Sequence, residues 1–352
     1  MAQVRTGRLC PSFLEATNVE KLDSSTYRVN LDKAFCVGTV PNGGYAASCM
    51  LAAASLHLSL RGHPDTLTAH FEFPGRSEAG PAVVVIEEVK LGVQLSTLHL
   101  TLWQGGLLAE APWITPSVSR RAVLAYTNHT SLETFTGMTV PTSYEVSAAA
   151  ELPPLPDFKA LKSQGDSVDD IWEESSPPES AIAIQRSLSN WHFLVPCGDP
   201  VLPGMVDIWM SRSNGERITQ SSLPYVMDSF PFNLHTFLMN PELRKLMEAE
   251  ASQSHDSGGH SKTTNEDRGR ASLWFPTVAL NLEIKKVLPE EGAEWLAMRL
   301  TSKQMKDGRF DLDIQVRDID GELVALSHQV ALIVEIERNT RKSHGSEPKA
   351  AL

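Results

Sequence analysis

A chain of 352 residues with 41% apolar and 21% charged side chains has ordinary globular composition and the length for two or three domains. A net charge of −12 at pH 7 leaves no basic footprint for phosphates, which excludes a nucleic-acid partner. No apolar run reaches the roughly 20 residues of a membrane helix, because the best stretch, 44–60, is broken by Ser48, Ser55, His57 and Ser59.

The opening residues lack the continuous apolar stretch of a secretory signal, and the final KAAL is not a peroxisomal address, so a cytoplasmic protein is expected. Four cysteines (Cys10, Cys36, Cys49, Cys197) without a close pair fit reduced thiols and neither a disulfide framework nor a zinc site.

In chain order, an extended segment (24–40) leads to PNGG at 41–44 and a predicted helix over 45–60, apolar on nearly every side and therefore expected to be wrapped by other structure. Four alternating strands are predicted near 66–73, 82–91, 96–104 and 107–115. Residues 126–200 are rich in Pro, Ser and acidic side chains and read as a connector. A second extended stretch from Gly204 is followed by a predicted helix over 221–239, a polar insertion at 250–270 with little to bury, and strands near 272–287, 294–306, 309–317 and 322–337. Residues 339–352 read as a loose tail.

The order of elements repeats. TLTAHFEF at 66–73 and TVALNLEI at 277–284 share one alternation, 211 residues apart, too far for a solenoid repeat and right for a duplicated domain. Each unit combines one apolar helix with alternating strands, an α+β arrangement in which a sheet curls around a helix. Joining two such units edge to edge buries an exposed edge of each. The units are assigned to 1–125 and 201–338.

Laying the copies over one another sets Tyr45 on Tyr225, so that Ser48 falls near Asp228, Thr66 matches Thr277, and Ile114 falls opposite Gln329. Only the second copy offers a carboxylate here. Asp228 sits in PYVMDSFPF among apolar and aromatic neighbours, where a carboxylate is costly unless hydrogen-bonded. Read by itself it is equally a solvent-facing helix residue or a cap. Thr277 alone is an ordinary strand residue, and Gln329 is a polar residue in an apolar strand, with His328 facing the other way.

The NGGYAA helix start, the Asp of YVMDSFPF, the Thr opening the next strand and the Gln of the last strand together resemble the type II acyl-CoA thioesterases with a double hotdog fold. The resemblance covers about 25–125 and 200–337 and is nearest to the divergent thioesterase-like branch, since Leu280 and Asn281 stand where bacterial members carry a His. It implies a fold of two tandem hotdog units and the hydrolysis of an acyl-CoA or acyl-carrier-protein thioester. It further implies a water held by Asp228, Thr277 and Gln329, no cofactor and no metal, and a place in lipid, polyketide or other secondary metabolism. Pairing into a homo-oligomer is compatible with it.

The residue types suit that chemistry. A poorly hydrated carboxylate takes a proton from water, the Thr hydroxyl and Gln amide hold the same water, and a backbone N–H near 42–45 is an expected oxyanion donor. Direct attack by Asp228 through an anhydride stays open beside the water route. No G-x-S-x-G elbow, no H-E-x-x-H or H-x-x-x-H pair and no cysteine in a polar setting is present. The rivals are a hotdog dehydratase or hydratase, which would want a His near Asp228, and a silent acyl-binding hotdog protein.

Overall fold

The computed structural model describes residues 11–144, 147, 150–158, 170–175, 184–198, 202–231, 234 and 273–340. Helix α1 (Phe13–Ala16) precedes strands β1 (Glu20–Lys21) and β2 (Thr26–Leu31), the hairpin of β3 (Cys36–Val37) and β4 (Val40–Pro41), and helix α2 (Gly43–Leu58). The first copy continues as β5 (Asp65–Glu72), β6 (Gly80–Leu91), β7 (Ser96–Gln104) and β8 (Arg120–Thr130). The second is built from β9 (Trp172–Glu174), β10 (Trp191–Pro196), β11 (Met205–Arg212), helix α3 (Leu223–Met227) and β12 (Leu273–Trp274). It is completed by β13 (Thr277–Ile284), β14 (Leu296–Thr301), β15 (Met305–Lys306), β16 (Arg309–Arg317), β17 (Leu323–Leu332), β18 (Val334–Glu335) and helix α4 (Glu337–Thr340).

The main strands form one antiparallel sheet in the order β1-β2-β6-β7-β8-β5-β13-β17-β16-β14-β11-β10-β9. The repeated strands β5 and β13 meet at its centre, where His70 pairs with Asn281 and their side chains bond at 2.8 Å. Asn281 lies 211 residues after His70, the spacing that separates Thr277 from Thr66. A residue facing its own counterpart marks a pseudo-twofold axis, so the edges that each copy would expose are closed against one another.

The helices meet on the same axis. Asn42 caps α2 by accepting the Tyr45 N–H at 2.9 Å, and eleven of its sixteen residues are buried, as expected of a central helix. Gly44 stands against Pro224, its counterpart at a spacing of 180, and a Cβ on Gly44 would lie 2.1 Å from the Pro224 carbonyl oxygen and 2.6 Å from the Asp228 Cβ. The rings of Tyr45 and Tyr225 meet edge-on at 6.2 Å. Arg212, buried among the rings of Phe13, Phe35, Trp191 and Tyr225, ties α1 to the second copy.

Several expectations are corrected. The helix predicted over 221–239 stops at Met227, because a continuing helix needs an N–H on residue 231 for the Met227 carbonyl and Pro231 has none. Pro231 also disfavours helical backbone at Phe230; residues 235–239 lie outside those described. Residues 107–115 form a loop, entered through Gly105 and Gly106 at positive φ, and the fourth strand is β8. Through β5 and β13 the register therefore places Thr127, and not Ile114, in the position equivalent to Gln329.

The span 126–200, expected as a connector, opens with the end of β8 and contributes β9 and β10 to the sheet. Its Phe158 and Trp172 join Trp209 and Trp295 in a second cluster on the outer face of the second copy. The long strands expected at 272–287 and 322–337 are shorter, and β12 pairs instead with β18 as a separate ribbon. Asn339, expected in a loose tail, is fully buried: it receives the Thr39 N–H, donates to the Val37 carbonyl, and fills the space a side chain on Gly38 (φ +61°) would need. The insertion at 250–270 lies outside the described residues.

Gly44→Ala forces the two helix starts apart, and overpacking at so closed a site is expected to cost about 3 kcal/mol or more. A denaturant-unfolding midpoint indistinguishable from that of the parent would contradict this account of the dyad.

Candidate active site

Asp228 occupies the C-cap of α3 (φ −108°, ψ 15°) and is nearly inaccessible to solvent. The halt of α3 turns its side chain toward the start of α2. There the Gly44 N–H donates to Oδ2 at 2.8 Å, while the Thr277 hydroxyl donates to Oδ1 at 2.8 Å. The positive end of the sixteen-residue α2 thus faces an anion supplied by the other copy. Burial nevertheless dominates: loss of hydration pushes the carboxyl up to about 6, against the lowering by the Gly44 amide, the Thr277 hydroxyl and the Gly43 amide.

Gln329 is 1% exposed and donates through Nε2 to the Met227 carbonyl at 2.9 Å, the carbonyl that Pro231 leaves unbonded. This bond fixes the amide so that Oε1 is a buried acceptor with no partner among the described residues. His328 points away, exposed and bonded to Asp313 at 2.6 Å. The three residues singled out from sequence, Asp228, Thr277 and Gln329, all line one cavity of about 1050 Å³.

Asn42 and Gly43 of the first copy line the same cavity, so the site is built from both units. The remaining wall is largely apolar and aromatic, with Phe73, Phe230, Trp274, Phe275 and Phe310. Reasoning from sequence left out Gly44 and Asn42 as partners of Asp228; the PNGG start was the available signal, but the chain separation of 184 residues hid the contact. The α2 amides expected as oxyanion donors are turned instead to the Asp228 carboxylate and, for Tyr45, to the Asn42 cap.

The equivalent place in the first copy is closed. Ser48 replaces Asp228, with a buried hydroxyl that has no partner among the described residues, and Thr127 in the Gln329 position bonds to His129 at 2.9 Å. Pro224, in the position of Gly44, has no N–H to offer. No cluster of His, Cys, Asp and Glu suited to a metal occurs among the described residues, and no described helix is long and apolar enough to cross a membrane.

A long sheet folded from two helix-bearing halves, with a cavity lined by both of them, defines a double hotdog protein. Profiles of the acyl-CoA thioesterase N-terminal and C-terminal domains match residues 31–121 and 156–333. The thioesterase-like protein TwmA of Talaromyces wortmannii is 58% identical over 352 residues, the whole of both chains. The chain belongs to the acyl-CoA thioesterase family.

Solved structures agree on the fold. A hotdog-fold protein of unknown function from Alicyclobacillus acidocaldarius superposes with a TM-score of 0.60 at 17% identity, covering 92% of this chain and 97% of its own. The acyl-CoA thioesterase II TesB2 of Mycobacterium marinum does so with a TM-score of 0.56 at 15% identity, covering 92% and 98%.

The raised carboxyl has a sign that stability measures. Asp228 binds its proton more tightly folded (about 6) than unfolded (3.8), so its charge costs nothing below about pH 4, progressively more between pH 4 and 6, and most above pH 6. Asp228→Asn keeps the shape and removes that charge. It is expected to raise the unfolding free energy by about 3 kcal/mol at pH 7.5 and to have little effect at pH 4. Denaturant unfolding of both proteins at the two pH values checks this, and a variant no more stable at pH 7.5 would contradict it.

Proposed function

We propose that this protein hydrolyses an acyl thioester, with one water activated among Asp228, Thr277 and Gln329. The reading is supported above all by a desolvated carboxylate, anchored by a hydroxyl and a helix start, at the wall of a large apolar cavity. A water there donates one proton toward an Asp228 oxygen and the other to Gln329 Oε1, leaving its lone pair for the thioester carbon. As the C–O bond forms, Asp228 takes the proton and the carbonyl oxygen becomes an oxyanion.

Collapse of that intermediate breaks the C–S bond. Asp228 returns its proton to the departing sulfur, and the products are a carboxylic acid and a thiol. Negative charge passes from the carboxylate to the carbonyl oxygen and back within reach of the positive end of α2. Both Asp228 oxygens already accept hydrogen bonds, which favours proton transfer over direct attack by the carboxylate.

The apolar wall suits the acyl group, and the sulfur carries CoA or a carrier-protein arm. A dehydratase reading has less support: the described residues lining the cavity include no His. A silent acyl-binding protein would keep the cavity while lacking turnover.

A panel of acyl-CoA and acyl-pantetheine thioesters, assayed for free thiol, tests the proposal. With an accepted substrate, kcat/KM is expected to rise with pH through an apparent pKa of about 6, the ionisation of Asp228. Asp228→Asn should lower kcat by about 1000-fold, and Thr277→Ala and Gln329→Ala each by on the order of 10- to 100-fold. Unchanged turnover in Asp228→Asn would remove the mechanism, and binding without thiol release across the panel would favour the silent binder.

A further inference from the structure

Where α3 halts, the carbonyls of Met227 and of the cap residue Asp228 are not carried on into a helical ladder. Each is taken by a side-chain amide from a different unit: Gln329 Nε2 reaches Met227 at 2.9 Å, and Asn42 Nδ2 reaches Asp228 at 2.6 Å. Asn42 is 8% exposed and is held on three sides, since its Oδ1 accepts the Tyr45 N–H at 2.9 Å and its own N–H bonds to Phe35 at 2.9 Å. One side chain therefore caps the helix that receives the carboxylate and grips the backbone that bears it.

We propose that Asn42 is a positioning residue of the reaction centre, fixing Asp228 through its backbone carbonyl so that the carboxylate stays registered between the α2 amides and Thr277. The inference rests on the hydrolase reading above. Only a carboxamide supplies both halves of the grip without charge: Asp or Ser caps a helix as well as Asn but cannot make this donation from the same place. The asymmetry of the two copies points the same way. Ser222 holds the position equivalent to Asn42, at the spacing of 180 that relates Tyr45 to Tyr225, and its hydroxyl turns to the Thr219 carbonyl at 2.7 Å within its own segment. The cross-copy grip exists on the side that has the carboxylate.

Asn42→Asp and Asn42→Ser separate the cap from the grip: each keeps an acceptor for the α2 N-terminus, while Asp has no donor and the shorter Ser hydroxyl, engaged at the cap, falls short of the Asp228 carbonyl that Nδ2 reaches. No charged side chain figures among the causes of the Asp228 shift, and Arg76 and Lys303 are the ionisable side chains other than Asp228 that line the same cavity. A carboxylate introduced at position 42 is thus a new anion beside Asp228. In Asn42→Asp, a buried anion set against the Asp228 carbonyl is expected to lower Tm above about pH 6, with kcat lower by on the order of 10- to 100-fold, KM within about threefold, and the rising limb of the pH profile moved to higher pH. Asn42→Ser is expected to lose kcat similarly at near-parental Tm.

Parental kcat in both variants, with Asp228→Asn inactive, would overturn the inference and leave the hydrolase reading standing. A lowered Tm with parental kcat and an unmoved limb would make Asn42 a cap and nothing more, which also overturns it. If Asn42→Asp loses fold and activity together, Asn42→Ser decides: reduced kcat at near-parental Tm supports the grip, and parental kcat refutes it. Were Asp228→Asn fully active, the Asp228 mechanism on which the inference rests would fail first, and the hydrolase reading itself fails only if no thioester in the panel is cleaved. Stability against pH still reads the contact without turnover: the window over which Asp228 titrates should move upward in Asn42→Asp, and a window left in place would count against the grip.

Discussion

The contact of Gly44 with Pro224 is the constraint on which the rest of this molecule turns. Two helices begin at the same point of a pseudo-twofold axis, with no room for even a methyl group between them. That closeness lets a side chain at the end of one helix reach the amides at the beginning of the other. A loosely packed pair of hotdog units would have the same sheet and the same central helices, but Asp228 would face water or unbonded apolar surface. The buried carboxylate is tolerable because three donors meet it, and burial still wins by enough to leave its proton exchanging near neutrality.

Asymmetry follows from the same contact. A single-unit hotdog dimer offers two equivalent places where a helix end of one subunit meets a helix start of the other. Here the second place holds Ser48 for the acid, Thr127 bonded to His129, and a proline in the position of the donor. This second place lacks both acid and donor, although the two positions sit on opposite halves of the chain. The closed copy retains its central helix, its strands and its share of the dyad.

Much of this was legible in the amino-acid sequence because it rests on local alternation. The spacing of TLTAHFEF and TVALNLEI identified a duplication and an edge-to-edge join, and the structure shows that the repeated strands themselves, β5 and β13, form that join through His70 and Asn281. Asp228, Thr277 and Gln329, each ambiguous by itself and joined by the family resemblance, line one cavity. What escaped were features set by single residues acting at a distance. Pro231 stops α3 through a hydrogen bond it cannot make, a signal that was present but outweighed by the apolar run around it. The loop at 107–115 continues the alternating pattern of β7 without its geometry, whereas β8 begins with two arginines that read as connector. The partners of Asp228 on Asn42 and Gly44 lie across the chain and have no periodicity to betray them.

The pairing of glycine with proline at equivalent places also bears on how such a gene can change. Tandem duplicates tend to be homogenised when one half serves as template for repairing the other. Copying the second half onto the first would put a proline at position 44, removing an amide the carboxylate needs and forcing a ring into a space closed to a methyl group. Copying in the reverse direction would replace Asp228 with a serine. Each exchange removes one partner of the contact between carboxylate and helix start, so the two halves of this chain are not interchangeable at these positions although the fold treats them as equivalent.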